Sequence, residues 1–174
     1  EALNGLAGLR LDFGRLDEAR EVLIAALVLL PDDPKVKINE SVLNFYRGDW
    51  ALAWQAYESR WGLPGAAKRP FRQPEWAGQA LTGKRILVWQ EQGIGDEIIF
   101  ASMIPDLIST GVNVIMECDR RAIPLFERSF PGVECVARSD PPSQRIADAQ
   151  PDYQIAAGSL GRWFRRRESD FSTD

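Results

Sequence analysis

The first third of the chain repeats itself at an offset of 34 residues, and this repeat constrains the fold more than any other feature of the sequence. The segment GRLDEA, which begins at Gly14, recurs as GDWALA at Gly48. The same offset places Ala19 over Ala53. A fixed period of this length is typical of stacked helical hairpins, in which each repeat buries its apolar face against the next.

The residue types at the repeated positions predict where paired helices end and where they cross. Gly14 and Gly48 end the first helix of each pair, because a backbone without Cβ adopts the left-handed conformation without strain. The alanine of each repeat allows two helices to approach closely, and Pro31 ends the second helix. This pattern resembles the tetratricopeptide repeat (TPR) family over residues 1–63. The resemblance implies two TPR-type helical hairpins and a protein or peptide partner.

The second repeat departs from the first near its start. Glu40 and Ser41 stand where the first repeat has Leu6 and Ala7, so two amphipathic hairpins without TPR geometry remain an alternative. Stable solenoids usually contain about three repeats or more. We therefore expect this segment to pack on further repeats, on the following domain or on a second copy of the chain, which would make the protein a homo-oligomer.

Four aromatic residues of the second repeat follow one another at helical spacing: Trp50, Trp54, Tyr57 and Trp61. Such a stripe can bind a ligand, but at this spacing it is more often part of a hydrophobic core. We expect a core stripe.

The segment 64–82 predicts an ordered linker between the repeats and a second domain at 83–174. Pro64, Pro70 and Pro74 prevent a regular helix there. The aromatic residues Phe71 and Trp76 in the same segment indicate that it packs along a surface.

Beyond the linker, short apolar runs alternate with helical patterns. Strands are predicted at 85–90, 113–118, 134–137 and 153–157, with helices at 96–111 and 121–129 between them. Continuous apolar strands joined by helices are typical of a parallel sheet covered on both faces. The first of these helices should bury the face formed by Ile98, Ile99, Met103, Ile104 and Leu107. The predicted fold is thus α plus α/β: two helical hairpins followed by half of a Rossmann-like doubly wound parallel sheet.

The composition excludes several classes of function. Hydrophobic residues make up 45% of the chain and the net charge is −4, which fits a cytoplasmic globular protein without a nucleic-acid surface. The apolar runs are too short for a membrane span. The chain has no histidine, so we expect no metal site, no bound cofactor and no histidine-based nucleophile. Cys118 and Cys135 lie in apolar strands, where buried free thiols are expected.

One turn carries the residues best suited to chemistry. Gly93 and Gly95 follow the first strand and precede a helix, at the sheet edge where open α/β proteins bind ligands. A dinucleotide-binding turn would have a third glycine where Ile98 stands, and would use Glu117 to bind a ribose hydroxyl. The carboxylates of Asp96 and the next residue disfavour a pyrophosphate at this helix N-terminus.

Asp96 is the candidate catalytic residue. A carboxylate at a helix N-terminus stays ionised and can accept a proton from a sugar hydroxyl, while Gly93 and Gly95 let a substrate approach the backbone. The simpler alternative is that Asp96 only caps the helix. Arg120 and Arg121 follow the second strand at the same sheet edge and are candidate substrate-binding residues.

The chain also resembles bacterial TPR-linked glycosyltransferase-like proteins, which are similar to the heptosyltransferases. The resembling parts are Trp61, FRQPEW at 71–76, GKRILV at 83–88, EQGIGD at 91–96, Pro105, Asp106, PGV at 131–133 and GSL at 158–160. The resemblance assigns the role of general base to Asp96 and implies a GT-B architecture. In that architecture an N-terminal Rossmann half faces the sugar acceptor, and a C-terminal half binds the nucleotide sugar.

The resemblance implies that this chain is the TPR and acceptor-side portion of a glycosyltransferase. Because no second Rossmann half is visible in the sequence, we expect the chain alone to be inactive and to bind no nucleotide sugar tightly. The alternative is a protein-interaction scaffold in which the TPR repeats bind a partner and the α/β domain is structural.

Overall fold

The computed structural model describes residues 1–171, so the last three residues of the predicted 83–174 domain lie outside the described part. The chain forms two compact units. The helical unit contains Glu1–Lys68 together with the described residues that follow Phe164, and the α/β unit is Arg69–Phe164.

The helical unit is built from four consecutive helices. They are α1 (Ala2–Asp12), α2 (Leu16–Leu29), α3 (Pro34–Arg47) and α4 (Trp50–Tyr57), and a 3₁₀ turn at Glu58–Gly62 continues the last of them. Helix α1 packs on α2, and α3 packs on both α2 and α4.

The helix ends follow the local signals in the sequence. Gly14 and Gly48 adopt φ values of +68° and +77°, and each lies just after the first helix of its repeat. At the start of α3, the Lys35 backbone N–H donates to Asp33 Oδ1 at 2.8 Å, and Pro34 occupies the first helical position. These positions need no tertiary contact to form, because glycine tolerates positive φ and an aspartate cap satisfies a free helix N–H.

The two repeated alanines lie at the centre of the helical packing. Ala19 and Ala53 are both 0% exposed. Ser41, which replaces the Ala7 of the first repeat, is also buried, and its hydroxyl donates to the Ala53 carbonyl at 2.8 Å. Glu40 is only partly buried. The second repeat therefore tolerates its two departures, because one polar side chain is hydrogen-bonded and the other reaches water.

The aromatic stripe of the second repeat packs within the helical unit. Phe45 of α3 meets Trp54 edge to face, with 4.8 Å between ring centroids, and Tyr57 lies 5.7 Å from Trp54. Trp54 is buried. These contacts support the interpretation of the stripe as core.

The α/β unit alternates strands and helices as predicted. Its elements are β1 (Arg85–Trp89), α5 (Ile94–Ala101), α6 (Ile104–Ser109), β2 (Asn113–Cys118), α7 (Ile123–Ser129), β3 (Glu134–Ala137), α8 (Gln144–Asp148), β4 (Tyr153–Ala156) and α9 (Gly161–Phe164). The four strands form one sheet in the order β3-β2-β1-β4, and every neighbouring pair is parallel. The prediction of a parallel sheet is confirmed.

The helical segment after β1 differs from its prediction. Helix α5 begins at Ile94 and ends at Ala101, and Pro105 is the second residue of a separate helix α6. Ile98 and Ile99, predicted to face the core, are 49% and 64% exposed. The expected apolar face was wrong at these two positions, because the interruption before Pro105 changes which side of the segment faces the sheet.

Helix α7 also starts later than predicted, at Ile123 instead of residue 121. The Arg121 backbone N–H donates to Asp119 Oδ1 at 2.8 Å, which holds the residues after β2 in a turn. Aspartate side chains favour such turns because they compete with the helix for backbone N–H groups.

The beginning of the α/β unit runs beside β4. The Trp76 N–H donates to the Gln154 carbonyl at 2.9 Å, and the Gln154 N–H donates to the Pro74 carbonyl at 3.0 Å. These two bonds add a short parallel bridge to the sheet and fix the segment that carries Arg69.

Candidate functional site

The carboxyl ends of β1, β2 and β3 meet at a cleft with a volume of about 410 Å³. We call it the arginine cleft; it is lined by Gln92, Gly93, Ile94, Glu97, Asp119, Arg120, Arg121 and Arg138. The lining follows from the topology, because parallel strands bring the loops after their carboxyl ends to one edge of the sheet.

The turn between β1 and α5 forms one wall of the cleft. Gln92 adopts φ +57°, a left-handed conformation that is uncommon for a residue with a side chain. Gly93 precedes the first residue of α5, and its N–H donates to Asp96 Oδ2 at 3.1 Å. Strained backbone of this kind is concentrated at ligand-binding and catalytic sites.

Asp96 therefore caps the helix by reaching back to the turn. It is half-buried and does not belong to the residues that line the arginine cleft. Gly95 is exposed, and it also does not belong to the residues that line the cleft. Of the residues proposed from the sequence, the structure brings Gly93, Arg120 and Arg121 together in the cleft.

The carboxylate that faces the cleft belongs to Glu97. It is 2% exposed, and its Oε2 accepts the Asp119 backbone N–H at 3.0 Å. Burial raises the pKa of Glu97 above its usual value, against a smaller opposing effect of that hydrogen bond. The cleft thus holds a buried carboxyl group whose proton affinity is increased by desolvation.

The three arginines of the cleft differ in their bonding. Arg121 donates from Nε and Nη2 to the two oxygens of Asp119, at 3.0 and 2.8 Å. The hydrogen bonds from Arg121 lower the pKa of Asp119 to about 2. Arg138 Nη1 donates to the Gln90 carbonyl at 3.3 Å. In the described residues, neither Arg120 nor Arg138 forms a salt bridge, so both guanidinium groups can bind an anion.

Sequence reasoning missed Glu97 and Arg138 as site residues. Arg138 comes directly after β3, so the rule that places Arg120 at the cleft would also have found it. Glu97 was considered only as a charge at the helix N-terminus. Arg162 and Arg165 do not line the cleft: Arg162 is 3.6 Å from Glu75, and Arg165 is buried and packs over Phe171.

Glu117 does not take part in the cleft. It is fully buried, and Arg69 binds both of its oxygens, at 2.9 Å from Nε and 2.6 Å from Nη2. The same Nη2 donates to the Ser139 carbonyl at 2.6 Å. Because Glu117 is fully buried and paired with Arg69, it is not presented to a ribose hydroxyl in this structure, and this agrees with the missing third glycine of a dinucleotide site.

The end of β1 is joined to the residues after β4 by a buried contact. Glu91 Oε1 accepts the Gly158 N–H at 3.1 Å, and both residues are buried. A Cβ at position 158 would lie 2.8 Å from Glu91 Oε1 and 3.0 Å from Cζ of Phe100. Only glycine fits at this position without displacing its neighbours.

Replacing Gly158 with alanine should therefore destabilise the protein by about 1–3 kcal/mol, the usual cost of forcing a methyl group into a packed interior. Urea denaturation of both proteins measures this loss. Gly95→Ala is the matched control, because nothing lies within 4 Å of its added Cβ. In a helix that change should be neutral or stabilising by up to about 1 kcal/mol. Equal stabilities of the Gly158 and Gly95 variants would contradict the packing argument.

Other features of the described residues bear on binding. Cys118 and Cys135 are buried free thiols, as predicted. Residues 1–171 contain no group of three or more histidine, cysteine, aspartate or glutamate side chains that could bind a metal ion. Along the same part of the chain, none of the helices has both the length and the apolar surface that a membrane span requires.

The chain is similar to Protein FlbA of Caulobacter vibrioides, with 37% identity over 150 residues that make up 79% of this chain and 24% of FlbA. The chain therefore spans about a quarter of the length of this relative. No protein-family model matches the sequence, and no solved structure matches it.

Proposed function

We propose that this chain is the TPR and acceptor-side portion of a glycosyltransferase-like protein that transfers a sugar from a nucleotide donor to a hydroxyl group. The helical unit supports the TPR part of this proposal. The 34-residue offset relates two pairs of consecutive helices. It also relates two fully buried alanines, Ala19 and Ala53, and two glycines with positive φ, Gly14 and Gly48.

The α/β unit supports the acceptor-side assignment. The strand order β3-β2-β1-β4 reverses direction beside β1, as in half of a doubly wound Rossmann-like sheet. In such sheets ligands bind outside the carboxyl ends of the strands. The turn EQGIGD, on which the heptosyltransferase resemblance rests, follows β1 at this edge.

The arginine cleft is the observation that carries the proposal. It places a buried carboxyl group, Glu97, within one cavity with Arg120, Arg121 and Arg138. A carboxylate can accept the proton of the attacking hydroxyl during sugar transfer. The transfer also benefits from fixed positive charge, because negative charge develops on the departing phosphate. The cleft contains both kinds of group.

In our proposal, the domain that binds the nucleotide sugar lies outside residues 1–174. The relative FlbA is about four times as long as the matched segment, which leaves room for a second domain. We therefore expect residues 1–174 to bind an acceptor weakly and to transfer no sugar when expressed alone.

A transfer assay on the full-length gene product tests the function. We expect release of nucleotide from at least one nucleotide sugar when acceptors from a cell extract are present, and none from residues 1–174. Arg120→Gln should raise KM for the acceptor by about tenfold, because a charge-assisted hydrogen bond contributes about 1.5–3 kcal/mol. Arg128→Gln, an exposed change on α7 outside the cleft, is the control. A full-length protein that neither binds nor consumes any nucleotide sugar would contradict the proposal.

A protein-interaction scaffold is the second candidate, and the surface of the helical unit favours it. Large apolar side chains in this part of the unit are exposed, including Phe13, directly after α1, at 71% and Val28 of α2 at 78%. Exposed apolar patches often mark protein contacts. Phe13→Glu combined with Val28→Glu should abolish capture of a partner or self-association in sedimentation experiments. If sugar transfer is absent while this binding is present, the scaffold function is the better explanation.

A further inference from the structure

Two buried polar side chains follow β1: Gln90 directly after the strand and Glu97 in α5. Gln90 is 0% exposed, and its amide nitrogen and oxygen make no hydrogen bond to the described residues. Glu97 is 2% exposed and forms no salt bridge within residues 1–171. Glu97 lines the arginine cleft, and a buried ionisable group in a cleft is a candidate functional residue.

A purely structural role does not explain why a glutamate occupies position 97. Its one hydrogen bond, from the Asp119 N–H to Oε2, would be made equally well by the carbonyl oxygen of a glutamine. A buried carboxyl group without an ion pair destabilises a fold unless it stays protonated. What a glutamate adds to this position is the ability to gain and lose a proton.

Asp96 differs from Glu97 in each respect. Its Oδ2 accepts the Gly93 N–H at 3.1 Å, and helix capping explains its position. It is half-buried and outside the lining of the arginine cleft. Successive helix residues point about 100° apart, and here Glu97 lines the cleft while Asp96 turns back to the Gly93 N–H.

We infer that Glu97, and not Asp96, accepts the proton of the attacking hydroxyl in the arginine cleft. This inference rests on the proposed sugar-transfer function. In the reaction, the acceptor O–H bond breaks and its proton moves to the Glu97 carboxylate. The electron pair of the acceptor oxygen forms the new bond to the anomeric carbon of the donor sugar. The bond between that carbon and the nucleotide phosphate breaks, and its electrons leave with the phosphate.

Charged residues that follow two of the strands surround Glu97. Some of them raise its pKa and others lower it. Arg121, which follows β2, and Arg138, which follows β3, favour the ionised carboxylate that accepts the proton. Burial and the Asp119 carboxylate favour the protonated form. Cys118, at the end of β2, is also close enough for its thiol to interact with Glu97. A base with a raised pKa is better matched to a neutral working pH than an unperturbed carboxylate.

Matched substitutions in the full-length protein test this inference. Glu97→Gln should lower kcat by about a hundredfold or more, the usual contribution of a positioned base. Glu97→Asp keeps the acid but shortens its reach, so it should retain an intermediate rate. Asp96→Asn should lower kcat by less than about tenfold, because the asparagine Oδ1 can still accept the Gly93 N–H. Glu127→Gln on the exposed face of α7 is the control.

A titration of residues 1–174 tests the raised proton affinity of Glu97 without an activity assay. The Asp119 amide donates to Glu97, so its NMR chemical shift should follow the protonation of Glu97. The midpoint should lie above the usual glutamate value, and Glu97→Gln should abolish the transition. Because the folded pKa of Glu97 is raised, its contribution to stability falls as pH rises from the usual value through the folded pKa. Glu97→Gln should therefore melt no lower than wild type at neutral pH.

The outcomes separate the two proposals. If the wild-type protein transfers sugar and Glu97→Gln keeps its rate and pH profile, the inference about Glu97 is wrong while the function stands. The inference is equally wrong if Asp96→Asn shows the hundredfold loss and Glu97→Gln does not. If the wild-type protein consumes no nucleotide sugar, the proposed function fails, and the role of Glu97 in proton transfer fails with it.

Discussion

Arg69→Met should destabilise the protein by about 3–5 kcal/mol, the usual loss when one partner of a buried ion pair is removed. Arg69 and Glu117 bury their side chains to 9% and 0% exposure and share two hydrogen bonds. The substitution leaves the Glu117 carboxylate buried without a positive partner. Since about 5–15 kcal/mol is the stability of a typical domain, the loss should be visible as a large decrease in the urea midpoint.

Two further variants test whether the loss of stability comes from the unpaired Glu117 carboxylate. Arg72→Met changes an exposed arginine of the same segment, and its effect should stay within about 0.5 kcal/mol. The double variant Arg69→Met with Glu117→Met should regain most of the lost stability, because an apolar pair of similar volume often replaces a buried ion pair without cost. An Arg69→Met protein within about 1 kcal/mol of wild type would show that water reaches Glu117 in solution.

Ala53→Leu should destabilise the protein by about 3 kcal/mol, at the upper end of the range for overpacking a filled core. Ala53 is 0% exposed, and its carbonyl accepts the Ser41 hydroxyl at 2.8 Å. A leucine at this position would force α4 away from α3 and weaken that bond. Chemical denaturation gives the free energy of unfolding directly.

Ala51→Leu is the matched control for this change, because Ala51 lies on the exposed side of the same helix. It should change stability by no more than about 0.5 kcal/mol. Ala19→Leu, at the equivalent position of the first repeat, should resemble Ala53→Leu, with the exposed Ala25 as its own control. If the two buried positions respond no more strongly than their controls, the helices do not cross closely at these alanines.

Three features that lower stability follow the end of β1. Gln92 adopts a positive φ, Gln90 buries an amide without partners, and Glu97 buries a carboxyl group without an ion pair. Each feature lowers stability, and all three follow β1 within eight residues of its end. Proteins retain such features where function requires them.

Much of the fold could be predicted from local sequence patterns. The four strands were found within one residue of their ends, because continuous apolar runs bounded by glycine and polar residues identify buried strands without further information. Their parallel arrangement followed from the helices between them. The glycines at 14 and 48 marked the helix ends, because their conformation depends only on the absence of Cβ.

The details of the helices after β1 and β2 could not be predicted in the same way. The predicted start at residue 96 and the predicted apolar face differed from the structure. The Gly93 N–H donates to Asp96 Oδ2, and the helix begins at Ile94, two residues before the predicted start. The apolar face differs because the segment is interrupted between α5 and α6, so residues of the two helices do not share one continuous face.

By itself, the sequence determined the repeat, the strands and their parallel pairing, because these depend on local spacing. It also determined the sheet edge at which the charged residues after the strands lie. Only the tertiary structure decided which carboxylate faces the cleft and which is used elsewhere. Asp96 and Glu97 are neighbours with similar chemistry, but packing buries one in the cleft and leaves the other as a cap. Arg69 and Glu117 are 48 residues apart and meet only when the sheet has formed, because such contacts depend on the path of the folded chain and not on local pattern.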